Sequence, residues 1–135
     1  MQLSQLLNAL AQKEVRGNPH VEIGGLAYDS RRVRPGDLFV AIKGLNADGH
    51  DYIPQAIERG AVAIVGERPS LCSSVPYVLV PNSRRALALL SAAFHGYPAR
   101  SLRVIGVTGT DGKTTTVNLI RAILEAWGHR AGTIS

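Results

Sequence analysis

The chain has 135 residues, 45% of them hydrophobic and only 5% aromatic, so it can bury one ordinary core built from Leu, Val, Ile and Ala. Its net charge of +5 is mostly Arg, clustered only at Arg31-Arg32-Val33-Arg34 and Arg84-Arg85. Without a basic stripe interleaved with aromatics, nucleic acid is not an expected partner, whereas small anions such as nucleotides are. The N-terminus has no basic and apolar leader, and the longest apolar stretch, 86–94, is broken by Ser91, so neither export nor a membrane span is expected. Cys72 stands alone, which excludes an internal disulfide or a cysteine zinc site and fits a reducing, cytoplasmic setting.

Leu3, Leu6, Leu7 and Leu10 recur at helical spacing and predict a short amphipathic helix that Gly17-Asn18-Pro19 closes off. Residues 21–23 and 26–28 read as strand pieces about Gly24-Gly25. Arg34-Pro35-Gly36-Asp37 is a turn with Pro in its second position, leading into a buried strand over 38–42. Residues 43–51 lack periodicity and form a loop, whose Asp51 is placed to cap a helix over 52–59 that Gly60 ends. A strand over 61–65 completes a compact βαβ unit, which argues for an α/β layer structure. After a polar connection, a strand is predicted over 77–80, then a helix capped by Asn82 or Ser83 with Ala86, Leu87, Leu90 and Phe94 on its apolar face. Gly96-Tyr97-Pro98 stops it, and the boundary between two units is expected at 98–101.

The second unit opens with a predicted strand over 102–107, a glycine-rich turn and a helix from Thr114 with Val117, Ile120, Leu124 and Trp127 on its buried face; residues 131–134 read as a further strand. Strand, Gly-Lys-Thr turn and helix together are how proteins grip nucleotide phosphates, through backbone N–H groups at a helix start. Lys113 is placed to reach the β- and γ-phosphates and the Thr114 hydroxyl a Mg²⁺ ion. The generic pattern wants Gly where Val107 stands; here the glycines fall at 106, 109 and 112.

That irregular loop, Val107-Thr108-Gly109-Thr110-Asp111-Gly112-Lys113-Thr114-Thr115-Thr116, resembles the ATP loop of the Mur ligases, the peptidoglycan amide ligases, with Asp111 where most members carry Asn. Upstream, Asp29-Ser30-Arg31, Pro35-Gly36-Asp37-Leu38-Phe39-Val40-Ala41, Asp48-Gly49-His50-Asp51-Tyr52-Ile53 and Ala56-Ile57-Glu58-Arg59-Gly60-Ala61 resemble the blocks of the family's N-terminal domain. The likeness is nearest to the branch that adds the third residue of the stem peptide; the alternative is the branch that adds D-Ala-D-Ala.

The resemblance implies an α/β fold: a small UDP-binding domain over 1–98, then the first strand, phosphate loop and helix of a truncated central ATPase domain over 99–135. It implies a monomer that uses ATP and Mg²⁺ to join a diamino acid, meso-diaminopimelate or L-lysine, to UDP-MurNAc-L-Ala-D-Glu through an acyl phosphate. It implies ATP contacts from Gly109, Thr110, Asp111, Gly112, Lys113, Thr114 and Thr115, with Lys113 catalytic and Thr114 a Mg²⁺ ligand. Tyr28, Ser30, Leu45, Asn46 and Ala47 are implied on the UDP side, Ser30 foremost. These 135 residues alone are expected not to catalyse. Two other readings stand beside this one: a non-catalytic UDP-nucleotide-binding module and an unrelated phosphate-loop NTPase.

Overall fold

The computed structural model describes residues 1–69 and 74–134, so Cys72 lies outside the described residues. The chain divides into two compact units, Met1–Pro98 and Ala99–Ser135.

The first unit is a five-stranded sheet with helices on both faces. Its strands are β1 (Glu14–Arg16), β2 (Gly25–Ala27), β3 (Asp37–Val40), β4 (Ala63–Gly66) and β5 (Tyr77–Leu79), in the order β1-β5-β4-β3-β2. The four strands β2 to β5 run parallel, and β1 closes one edge antiparallel to β5. Register pairs Leu38 with Ala63 and Ile64 with Tyr77. All four residues of β3 and of β4 are buried, which is why each reads as a continuous apolar run.

Alternation sorts these side chains onto two cores. Leu38, Val40, Ala63, Val65, Val78 and Val80 point to one side, where they meet Leu3, Leu6, Leu7 and Leu10 and the Ala86 and Leu90 stripe of a long helix. Phe39, Ala41, Ile64 and Tyr77 point to the other, against Val33, Ile53 and Ala56. The four N-terminal leucines belong to α1 (Leu3–Leu6) and the 3₁₀ turn Leu7–Ala9 that continues it. The second core is closed by α2 (Ile53–Glu58), and the first by α3 (Ser83–Phe94). Asn82 caps α3 by accepting the Arg85 N–H at 2.9 Å.

Three details of the first unit differ from the sequence reading. Residues 21–23 form no strand: Glu22 makes a single bridge to Gln2, and the Leu3 N–H donates to the Val21 carbonyl, so this segment pins α1. The antiparallel edge strand β1 went unpredicted, because Glu-Val-Arg offers one apolar residue and no alternation to detect. The cap of the 43–52 segment is Asp48, which accepts the His50 N–H and starts a 3₁₀ turn over Gly49–Tyr52; α2 begins at Ile53 with Tyr52 at its N-cap and no side-chain cap bond.

In the second unit α4 spans Lys113–Ala126, one residue earlier than expected from the sequence. The predicted strands over 102–107 and 131–134 do not form among the described residues. A strand needs a neighbour to complete its ladder, and within this unit Val104 and Ile105 are 72% and 54% exposed. For the same reason Trp127, expected in a core, is 78% exposed.

Leu6 is fully buried in the first core. Leu6→Ala is expected to lower the unfolding free energy by about 2–5 kcal/mol in urea titrations; a loss below about 0.5 kcal/mol would contradict α1 as part of that core.

Candidate functional site

In open α/β sheets ligands settle beyond the carboxyl ends of the strands, and the segments that follow β2 and β3, with Tyr28, Ser30 and residues 45–47, leave the sheet at those ends. Tyr28 follows β2 directly and is 62% exposed. Together with Ile42 and Gly44 beyond β3, and Arg84 and Leu87 on α3, it lines a cleft of about 480 Å³. Ile42 and Leu87 supply an apolar floor, Tyr28 an aromatic face and Arg84 the cationic wall. An aromatic surface beside a guanidinium suits a planar ring carrying an anionic tail.

The 43–48 loop rises at the rim of this cleft. It is a tight hairpin: Lys43 bridges Asp48, the Gly44 N–H donates to the Ala47 carbonyl at 2.8 Å, and the Gly49 N–H donates to the Ile42 carbonyl at 2.9 Å. Gly49 is obligatory at that closure, since a Cβ there would stand 2.6 Å from the Ile42 nitrogen. Leu45 at the tip is fully exposed, and Asn46 and Ala47 are exposed beside it. Ser30 sits apart from the cleft residues in its contacts. It is 6% exposed, and its hydroxyl donates to Gln55 Oε1 at 2.6 Å, tying the 3₁₀ turn Ser30–Arg32 to α2. Asp29 caps that turn and pairs with Arg31, whose guanidinium holds the Asp29 carboxyl down at about 2.

A polar knot, only part of which the sequence announced, underlies the loop. The Glu67 N–H, just past β4, donates to His50 Nε2 at 2.8 Å. Nε2 is therefore the acceptor, and the ring proton sits on Nδ1, 2.5 Å from Asp48 Oδ1. The His50 side chain is 5% exposed and that of Asp48 12%. Arg68 reaches the other Asp48 oxygen at 2.6 Å. The Glu67 carboxylate in turn accepts both the N–H and the hydroxyl of Ser83, each at 2.8 Å, at the start of α3. The His50 N–H and ring hold the Asp48 carboxyl below the usual carboxylate range, and the Ser83 N–H and hydroxyl do the same for Glu67. Gly66 makes the knot possible: a Cβ there would lie 2.9 Å from His50 Nε2. In sequence, Gly66 and Glu67 look like an ordinary strand end.

In the second unit, the turn before α4 is set by Gly112, whose φ of 71° is left-handed and which caps the helix without a side-chain bond. A Cβ at Gly112 would meet nothing within 4 Å, so the space over the first turn of α4 is open. Lys113 Nζ donates to the Gly109 carbonyl at 2.6 Å and the Thr110 carbonyl at 2.9 Å, which holds the turn closed on itself. Gly109, Thr110, Asp111, Gly112, Lys113, Thr114 and Thr115 thus form one exposed surface. Open N–H groups, a glycine turn and a lysine fit a polyphosphate. For Mg²⁺ the surface offers the Thr114 hydroxyl, and no group of three or more His, Cys, Asp or Glu able to hold a metal occurs among the described residues. A Mg²⁺ here would need phosphate oxygens and water for most of its shell, as this ion commonly does.

A mostly parallel α/β sheet with a cleft at its carboxyl ends, followed by a glycine-lysine-threonine turn at a helix start, is the architecture of proteins that handle nucleotide-type ligands. Among such proteins the chain belongs to the Mur ligase family: the model of "Mur ligase family, catalytic domain" matches residues 22–95. Over 134 residues the chain is 52% identical to a UDP-N-acetylmuramyl-tripeptide synthetase of Roseiflexus sp. (strain RS-1), covering 98% of this chain and 26% of that protein. It is 50% identical to the UDP-N-acetylmuramoyl-L-alanyl-D-glutamate--2,6-diaminopimelate ligase of Geobacillus thermodenitrificans (strain NG80-2), covering 99% of this chain and 27% of that one. Among solved structures it is similar to the MurF ligase of Thermotoga maritima in complex with ADP, with a TM-score of 0.59 and 40% identity over 75% of this chain and 23% of that one. The chain spans about a quarter of the length of the curated relatives it matches. Among the described residues no helix is long and apolar enough to cross a membrane.

The two depressed carboxylates of the polar knot give a pH prediction. Asp48 and Glu67 ionise more readily in the folded than in the unfolded chain, so they stabilise the fold above the ordinary carboxylate range of about 4 and lose that contribution as pH falls through their folded values. Urea unfolding is expected to give lower stability at pH 3 than at pH 7, and a shallower decline in Glu67→Gln. An identical decline in both proteins would contradict the role of Glu67.

Proposed function

We propose that the chain is the N-terminal part of an ATP-dependent amide ligase of peptidoglycan precursor synthesis. Its reaction joins a diamino acid, meso-diaminopimelate in the first place and L-lysine otherwise, to UDP-MurNAc-L-Ala-D-Glu. The observation that carries this reading is the 52% identity over 134 residues to a tripeptide synthetase, a span long enough to take in both the cleft segments and the glycine-lysine turn. A bare UDP-binding module would have no use for the second segment, and an unrelated NTPase none for the first.

In this reading the first unit holds the UDP end of the substrate. Tyr28 faces the uridine, Leu45, Asn46 and Ala47 close over it, and Ser30 supports the diphosphate side from its place against Gln55. The second unit holds ATP through Gly109, Thr110, Asp111, Gly112, Lys113, Thr114 and Thr115. A free carboxylate is a poor electrophile because it has no leaving group. The substrate carboxylate takes the γ-phosphoryl group from ATP, releasing ADP. The amine of the diamino acid then adds to the acyl phosphate, loses a proton, and expels phosphate to leave the amide. Lys113 exchanges its carbonyl partners for β- and γ-oxygens and offsets charge that moves between them. Mg²⁺, held by the Thr114 hydroxyl, would neutralise further phosphate charge. The 135 residues by themselves bind but do not turn over.

A second reading within the family is the D-Ala-D-Ala-adding ligase, supported by the 40% identity to the Thermotoga maritima MurF ligase. Phosphate release by the full-length protein with each acceptor and amine pair separates the two branches.

Calorimetric titration of this chain tests the binding half. UDP-MurNAc-L-Ala-D-Glu is expected to bind, and Lys113→Ala to weaken ATP binding at least about tenfold while leaving the UDP substrate unaffected. Binding of ATP without the UDP substrate would favour an unrelated NTPase. Binding of the UDP substrate with no response to ATP would favour the non-catalytic module.

A further inference from the structure

The polar knot and the cleft are joined in a circuit of hydrogen bonds and the short stretches of chain between them. Starting at Lys43, the hairpin bridge leads to Asp48. Asp48 Oδ1 accepts from His50 Nδ1, and His50 Nε2 accepts the Glu67 N–H. The Glu67 carboxylate accepts from Ser83 at the start of α3. The next residue, Arg84, sends its guanidinium back to the Lys43 carbonyl at 3.2 Å. The circuit therefore joins the 43–48 hairpin, the end of β4 and the first turn of α3, three segments distant in sequence.

From this circuit we infer that His50 and Arg84 are positioning residues, which hold the 44–47 hairpin in its ligand-ready shape. The inference rests on the reading of the cleft as the UDP-substrate site, and adds to it two residues that act before the ligand arrives. A six-residue hairpin with an exposed Leu-Asn-Ala tip has few contacts of its own, so its ordering costs entropy unless the protein meets that cost in advance. His50 does so from below, buried and unable to rotate without breaking a bond at each ring nitrogen. Arg84 does so from the side, at the surface.

The two ring nitrogens have different tasks, and conservative replacements separate them. Gln at position 50 places an acceptor near the Nε2 site and keeps the link to Glu67. Asn places a donor near the Nδ1 site and keeps only the link to Asp48. The joint between hairpin and sheet is the Glu67 link, so His50→Gln is expected to retain more function than His50→Asn. Arg84→Met removes an exposed tie and leaves the buried knot intact, so it remains informative where a His50 variant does not fold.

The test uses the 135-residue chain with two readouts: calorimetric binding of UDP-MurNAc-L-Ala-D-Glu, and amide hydrogen exchange at Gly44 and Gly49 without ligand. Those two N–H groups close the hairpin, and their exchange does not depend on any ligand contact by Arg84. Expected are faster exchange at both glycines and about tenfold weaker binding in His50→Asn and Arg84→Met, with His50→Gln between them and the wild type, and ATP binding unchanged throughout. Folded variants with wild-type exchange at Gly44 and Gly49, or equal losses in His50→Gln and His50→Asn, would overturn the inference. A wild-type chain that fails to bind the UDP substrate would overturn the reading of the cleft itself, and this inference with it.

Discussion

Everything in the first unit follows from the burial of β3 and β4 on both faces. A strand pair with four consecutive buried positions in each strand has no solvent side, so helices must cover it above and below. The α1 leucines and α3 cover one face, and α2 with Val33 covers the other. Parallel pairing of β2 to β5 then forces every carboxyl end to one edge of the sheet. The segments leaving that edge are those that carry Tyr28, the 43–48 hairpin, Glu67 and Ser83. The cleft is thus a by-product of how the core is closed.

The same edge explains why polar groups can be buried at its end. Asp48, His50, Glu67 and Ser83 lie where strands stop and backbone N–H groups of Glu67 and Ser83 need acceptors. The His50 ring accepts the first and the Glu67 carboxylate the second, while Asp48 accepts the His50 N–H. Burying a carboxylate is costly without partners, and here Asp48 has the His50 N–H and ring with Arg68 beside them; Glu67, an exposed residue, accepts two bonds from the buried Ser83. The second unit has no comparable support among its described residues: its glycine turn is held by Lys113 on the Gly109 and Thr110 carbonyls, and α4 leaves Leu119, Ile123 and Trp127 exposed.

Much of this was legible in the residues. Continuous runs such as Leu-Phe-Val-Ala announce buried parallel strands, and the leucine spacing of residues 3–10 announces α1, because both signals are periodic and local. The glycine-lysine turn and the Asp-Ser-Arg and Gly-Asp-Leu-Phe blocks carried the family likeness. What escaped was non-local. β1 has only Val15 to mark it, and its partner lies more than 60 residues away. The importance of Gly66 and Glu67 depends on His50 arriving beside them, which no spacing reveals. Trp127 and the 102–107 segment were misjudged for the converse reason: apolar periodicity says that a face wants burial, not that the burying surface is at hand.

The central claim is that the cleft at the carboxyl edge of the first unit, rather than the glycine-lysine turn, receives the UDP substrate. Amide chemical-shift mapping of the ¹⁵N-labelled chain with UDP-MurNAc-L-Ala-D-Glu tests it most directly. Perturbations are expected at Tyr28, Gly44, Asn46, Ala47 and Arg84, with residues 109–115 silent until ATP is added. Perturbations confined to 109–115, or spread over neither segment at saturating ligand, would contradict it.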